Sequence, residues 1–390
     1  MRVGDLLGRE PFGAILEQTL AAYWSGVTGN AVQVFWGEGD QGEQEWRGNT
    51  HLNFFCTRDV EAGCFENIVR EFGYARAWGR RGVQAAYVRA AVTPPIREWL
   101  SQVRFRVSEP IPDANQQLVI GGRNRFRIIN PQVGESVVIA KAGFPRLGFD
   151  REVAAREGYA QAVAPRFLGM RANGMAFAEE YFVGTPTNRL PGALAEQTRQ
   201  EASRRLIDAV HRPSLRSVPM AEYLAQLAVS INEFSSAAGA QAQPLADWAV
   251  SRCGSASLGV AMTHGDFQNG NILVKERALR IIDWETATER SQLYDVATLS
   301  TDIRLAPDRF EAWRQTVANW MEWPAQVPEL LVPVDGRASL LGHAVVWWLE
   351  EAIFQLEEAR ASYQADIASS SDVVAAGLKR ARHYLETVLE

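Results

Sequence analysis

Lysine is almost missing from this 390-residue chain: of its 40 basic residues only Lys141, Lys275 and Lys379 are lysines. Arginine therefore carries ordinary surface charge, and a lysine marks a place where a compact ammonium rather than a planar fork is wanted. Cysteine is scarce too. Cys56, Cys64 and Cys253 have no metal-ligand spacing and cannot all pair, which fits idle buried thiols in a reduced cytoplasm. A basic surplus is absent: the net charge of -6 argues against an electrostatic nucleic-acid binder. No apolar run approaches the roughly 18 residues of a membrane span. The start, Met1-Arg2-Val3-Gly4-Asp5, lacks the basic and apolar regions of a signal peptide. Low-complexity and single-sign tracts are missing as well, so the chain reads as globular throughout, with no membrane partner expected.

What is present divides into three stretches. Residues 1–115 read as a small α+β domain of unassigned function. It has a helix over Gly13–Trp24, strand-like runs at Ala31–Phe35 and Leu52–Cys56 around the polar Gly37–Gly48, and helices at Cys64–Phe72 and Ile96–Val103. Residues 116–185 are β-rich: Gln117–Ile120, Arg125–Ile129 and Ser136–Ala140 read as strands, Asp150–Val163 as a helix and Met175–Phe182 as another strand. Residues 186–390 are patterned mostly as helices, interrupted by a short β pair at Ile272–Lys275 and Leu279–Ile282. The expected architecture is α+β, with a β-rich lobe, a helical lobe and a cleft between them.

The helical stretch contains Thr263-His264-Gly265-Asp266-Phe267-Gln268-Asn269-Gly270-Asn271-Ile272-Leu273, then Ile281-Ile282-Asp283-Trp284-Glu285. A carboxylate, an amide five residues later and a second carboxylate behind an apolar strand suit phosphoryl transfer, where positioning and charge neutralisation do most of the work. Asp266 would take the acceptor's hydroxyl proton or orient that group. Asn271 and Asp283 offer hard oxygens suited to magnesium. Taken singly, Asp266 or Asn271 would read as a polar turn; the set outweighs that reading. His264 is expected to brace the loop.

On the facing wall, Lys141 ends the strand Val137–Ala140, where a lysine for the α- and β-phosphates of ATP belongs. Glu152, or its competitor Glu157, follows on the next helix and would orient that ammonium. Gly121 and Gly122, between two strands, permit a close approach to phosphates, although Gly-Gly is more often a plain turn. Backbone groups near Glu180 and Phe182 would meet adenine. Glu350, Glu351, Glu357 and Glu358 recur at seven-residue spacing and read either as an acceptor pocket for a cationic amine or as a solvated helix face. Trp313, Trp320, Trp323, Trp347 and Trp348 read as core rather than as a sugar platform.

Together these residues resemble the aminoglycoside phosphotransferase and choline kinase-like family, over about 116 to 390. Tyr294-Asp295-Val296-Ala297 is similar to that family's Tyr-Asp-Leu-Ala segment, and Val210-His211 to its Leu-His helix end. Asn269 stands where the family often has proline. The resemblance implies a protein kinase-like fold with ATP and Mg2+ as cofactors. Only about a dozen residues separate Asp283 from Tyr294-Asp295, and no Ala-Pro-Glu follows, so a small-molecule hydroxyl acceptor is expected rather than a protein. An amino sugar, aminoglycoside or amino alcohol fits. The rival readings are a nucleotide-binding pseudokinase or regulatory module, and a kinase of a protein partner.

Overall fold

The computed structural model describes residues 2–72, 78–253, 255–322, 336–361 and 367–388. The chain is α+β, as expected, and forms two compact units. One holds the residues up to Arg146 together with Pro165–Val183; the other holds Leu147–Ala164 and most of the chain from Gly184 on.

The first unit is built on one nine-stranded antiparallel sheet. Its strands are β1 (Val34–Trp36), β2 (Gln44–Asn49), β3 (Phe54–Thr57), β4 (Val103–Val107), β5 (Leu118–Gly121), β6 (Arg125–Asn130), β7 (Glu135–Ala140), β8 (Phe167–Arg171) and β9 (Ala176–Glu180). They lie in the order β1-β4-β2-β3-β5-β6-β7-β9-β8. Residues 1–115 and 116–183 thus contribute to a single sheet, joined where Phe55 of β3 pairs with Val119 of β5. The boundary expected near residue 115 falls between neighbouring strands.

Three strands of this sheet, β2, β4 and β8, escaped the sequence reading, and the absence of the first two is what made the first stretch look separate. Ile96–Val103 is not one helix: the helix ends at Trp99 and β4 begins at Val103. The strand is legible afterwards, because Val103, Phe105 and Val107 alternate with Arg104 and Arg106, a period of two. β2 lay inside the stretch dismissed as polar. It buries Trp46, which stacks on Phe105 (centroids 5.8 Å, 9° between planes) beside Trp24.

The helix Phe12–Thr28 lays Phe12, Leu16, Leu20 and Trp24 on this sheet, in a core that also takes Phe126 and Ile128 of β6 and Val137 and Ile139 of β7. Large aromatic areas taken from water give such a core its stability. Cys56 and Cys64 are free and buried, and burial pushes their thiols up to about 12 and about 11.

In the second unit the helices Met220–Phe234, Ser236–Cys253, Arg309–Glu322, Gly336–Arg360 and Ile367–Val388 share a core containing Trp313, Trp320, Trp347 and Trp348; Trp323 lies outside the described residues. A smaller core under the hairpin Ile272–Lys275/Ala278–Ile281 gathers Phe267, Ile272, Ile281 and Trp284. Among the described residues no helix is long and apolar enough to cross a membrane.

A shared core in the first unit makes a prediction. Trp46→Ala, expected to cost about 3–5 kcal/mol, should weaken hydrogen-exchange protection in β6 and β7 as well as in β2. Loss confined to residues 1–115 would show that the two parts open independently.

Candidate functional site

The loop after the strand Ser257–Thr263 is held from below by one buried carboxylate. Asp295, at the start of the helix Tyr294–Thr301, accepts the backbone N–H of His264 at 2.8 Å and of Gly265 at 2.9 Å, and meets His211 Nε2 at 3.0 Å. Burial pushes this carboxyl up, but His211, His264 and the backbone donor outweigh it and leave Asp295 below its ordinary value. Gly265 has φ +84°, and a Cβ there would lie 2.2 Å from the Thr286 carbonyl oxygen, so only glycine fits.

His264 then braces the loop, as expected. Its Nε2 lies 2.9 Å from the Ile282 carbonyl oxygen, its Nδ1 accepts the Asp266 N–H at 3.2 Å, and its ring meets Trp284 edge-on at 4.6 Å. The first contact requires Nε2 to carry the proton and the second leaves Nδ1 as acceptor, which fixes the tautomer.

Asp266 and Asn271 are brought together. The Asn271 amide donates to the Asp266 backbone oxygen at 2.9 Å and to its Oδ2 at 3.0 Å; Gln268 donates to the same Oδ2 at 2.9 Å. Asp283 stands next in the chain to Ile282, whose N–H donates to the Asn271 carbonyl at 2.9 Å and whose carbonyl is the one His264 meets. Asp283 has φ +72°, an uncommon left-handed conformation for a non-glycine residue and one often met at functional sites. With its amide nitrogen spent on Asp266, Asn271 offers Oδ1 as its remaining polar atom. That oxygen and the Asp283 carboxylate oxygens are of the hard type that magnesium takes.

One contributor was not foreseen. Arg304, in the turn Ile303–Leu305, donates to Asp266 Oδ1 at 3.1 Å, to the Gly265 carbonyl at 2.9 Å and to the Tyr294 hydroxyl at 2.7 Å. It lies 38 residues beyond Asp266, among ordinary-looking arginines in a chain full of them, so no sequence signal marked it.

In the first unit the expected wall is differently made. Lys141 is fully buried, and its carboxylate partner is Glu10. Its ammonium also donates to the Arg123 carbonyl at 3.1 Å and lies 5.1–5.5 Å from the centroids of Phe12, Phe126 and Phe144. Burial lowers its pKa, with Glu10 opposing. The ion pair expected with Glu152 is thus made by Glu10, a residue 131 positions away that no helix-neighbour rule can find. Glu152, in the helix Leu147–Glu157 of the second unit, instead accepts from Arg156 at 2.9 Å. Glu157, near the end of that helix, is exposed.

The glycines are also occupied. A Cβ on Gly121 would meet Val3 at 2.7 Å, and its carbonyl accepts from Asn53 at 2.8 Å; a Cβ on Gly122 would meet the Arg125 carbonyl at 2.8 Å. Gly121 serves the close packing of the first residues on the sheet. At the end of β9 the Glu180 N–H donates to the Arg166 carbonyl at 2.8 Å, and Phe182 is half-buried.

In the acidic run on Gly336–Arg360, Glu350 and Glu351 are buried, while Glu357 and Glu358 are partly exposed. Glu350, its carboxyl raised by burial, accepts from Ser291 N–H and Oγ at 2.6 Å each and from Tyr223 at 2.7 Å. Glu351 accepts from Arg309 at 2.7 Å, and Glu357 takes a bidentate pair with Arg151. Glu358 lies 4.0 Å from Arg309.

Asp266 and Asn271 stand just before the hairpin Ile272–Lys275/Ala278–Ile281, and Asp283 just after it. Residues 187–325 match the model of the phosphotransferase enzyme family, APH. No curated protein matches the chain. Among solved structures, a choline/ethanolamine kinase family protein from Mesorhizobium loti is 16% identical, with a TM-score of 0.42, over 78% of this chain and 95% of that one. A putative aminoglycoside phosphotransferase from Ralstonia eutropha is 12% identical, with a TM-score of 0.43, over 70% and 92%. Aminoglycoside phosphotransferase APH(4)-Ia, in a ternary complex with ADP and hygromycin B, is 14% identical, with a TM-score of 0.42, over 68% and 93%. No residue role follows from likenesses of this degree.

Two predictions come from the buried pairs. Asp295→Ala leaves two backbone donors unmatched and should cost about 2–5 kcal/mol, read as a lower denaturant midpoint. In the wild type, Asp295's contribution is present above its unfolded value near 3.8 and is lost as pH falls through and below it; an acid limb unchanged in Asp295→Ala would count against that carboxylate. Glu10→Gln leaves a buried ammonium without its counterion and should cost about 3–5 kcal/mol, most of it recovered by adding Lys141→Met. An unchanged midpoint in Glu10→Gln would show that the pair is not closed in solution.

Proposed function

We propose that the chain is an ATP- and magnesium-dependent phosphotransferase acting on a hydroxyl of a small molecule of the amino sugar, aminoglycoside or amino alcohol type. The observation that carries this reading is the hydrogen-bonded Asp266–Asn271 pair, tied through Ile282 to Asp283. The family match over 187–325 supports the reaction class.

Asp266 orients the acceptor hydroxyl and takes its proton as the acceptor oxygen forms a bond to the γ-phosphorus. The bond from that phosphorus to the bridging oxygen breaks in line, and ADP leaves with the electron pair. Asn271 Oδ1 and the Asp283 carboxylate would hold magnesium, which supplies charge neutralisation at the phosphates. The same reading gives Lys141 to the phosphates. Since Glu10 already neutralises that ammonium, the assignment requires a phosphate oxygen to take Glu10's place. The contacts proposed for Gly121, Gly122, Glu180 and Phe182 are weaker, because Val3 packs on Gly121 and the Glu180 N–H is already used.

The burial of Lys141 is also what favours a second reading, a pseudokinase that holds the Asp–Asn–Asp set without transfer. One experiment separates the two: ADP release from ATP and magnesium across a panel of aminoglycosides, choline-like amines and sugars. Asp266→Ala should lower transfer to the responding acceptor by about 10²-fold or more while sparing nucleotide binding. Near-wild-type transfer by Asp266→Ala would sink the assignment, and a silent panel with intact ATP binding would favour the pseudokinase.

A further inference from the structure

We propose that Arg304 is the positioning residue of Asp266, held in place by a tie between Asn269 and Asp302; the inference rests on the phosphotransfer reading of Asp266. A carboxylate turns easily about its last torsion, which has broad wells. Here both oxygens are pinned. Oδ2 accepts from Asn271 and Gln268, while Oδ1 accepts from Arg304 alone among the described residues. Each oxygen has two acceptor sites, so Oδ1 keeps the open one. The acceptor hydroxyl therefore belongs at Oδ1, beside the guanidinium.

Arg304 is almost fully buried, which is costly for a charge unless it is well paired. Burial would lower its pKa, but Glu351, Tyr294 and Asp266 outweigh that and raise it. Its Nε lies 3.2 Å from Glu351 Oε2, and its guanidinium carbon sits 3.2 Å from the centre of the Phe354 ring. The guanidinium thus stands between a working carboxylate and a fixed one. When Asp266 takes the acceptor's proton, Arg304 still has Glu351 and is not left as a lone buried charge. Glu351 in turn is anchored by Arg309 and Tyr294.

The turn that presents Arg304 is itself fixed to the loop it serves. Asp302 adopts a left-handed conformation (φ +47°) and accepts the Asn269 side-chain amide at 2.7 Å; Leu305 N–H closes the turn onto the Asp302 carbonyl at 2.8 Å. Proline at 269, which the resembled family often has, has no side-chain donor and could not make this tie. The loop and the turn are joined at three points, Asn269–Asp302, Asp266–Arg304 and Gly265–Arg304.

The test compares Arg304→Gln, Arg304→Lys and Asn269→Ala by ADP release from ATP and magnesium, with the acceptor returned by the panel, or water if none responds. Arg304→Gln should lower kcat by about 10²-fold, the cost of a carboxylate misplaced by an ångström, with the KM for ATP within about twofold. Arg304→Lys should recover part of the loss, and Asn269→Ala should lower kcat severalfold with the same unchanged KM. If Arg304→Gln does not fold, Arg304→Gln with Glu351→Gln removes both buried charges together and carries the same expectation. The inference is overturned if the folded glutamine variant keeps kcat within about threefold of wild type while Asp266→Ala is dead. It is also overturned if kcat falls while the KM for ATP rises with it, as general loosening of the unit would cause. An active Asp266→Ala sinks the phosphotransfer reading, and this inference with it.

Discussion

The site depends on the Asp295 carboxylate. A loop that must expose Asp266 has its own backbone N–H groups to satisfy, and unmatched buried donors are expensive. Asp295 takes two of them and His211 besides, without itself reaching the surface. Everything above it is set in order: the left-handed Gly265, the imidazole bridge from Asp266 N–H to Ile282, and then Asn271 on Asp266. The buried carboxylate of Asp295 thereby determines where the carboxylate of Asp266 will stand.

How far this was legible in the sequence differs between the units, for a physical reason. Asp266, Asn271 and Asp283 lie within 18 residues, flanking one hairpin, so spacing alone reports their proximity. The Tyr294-Asp295 and Val210-His211 segments were also visible, but as separate resemblances; the structure makes them one hydrogen-bonded pair. Arg304 and Glu351 were invisible as partners, because each is one charge among many until packing removes the solvent around it. Glu350 and Glu351 show the same effect: the spacing was real, yet burial turned it from a surface pattern into internal hydrogen bonding.

In the first unit the reading failed where pairing is non-local. The helix over Phe12–Thr28 and the strands β1, β3, β5, β6, β7 and β9 were anticipated in outline. β2, β4 and β8 were not: β2 lay in a polar stretch, β4 was read at helical period and β8 was left unassigned. Without β2 and β4 the sheet appeared as two, and the N-terminal residues as a bystander. In fact Val3, Glu10 and Phe12 lie on Gly121 and Lys141, the very residues read as a phosphate-binding wall. Tertiary contact between positions more than a hundred residues apart leaves no mark on local periodicity.

The single pairing of Phe55 with Val119 has a bearing on how such a chain is inherited. Were the first 115 residues absent, β5 would become a bare sheet edge, with unpaired amides and an apolar face inviting other strands. An addition that covers an edge and neutralises a buried ammonium is no longer optional to the sheet that receives it. The two segments have lost the freedom to be shuffled separately: a gene rearrangement that parts them breaks a sheet, not a linker.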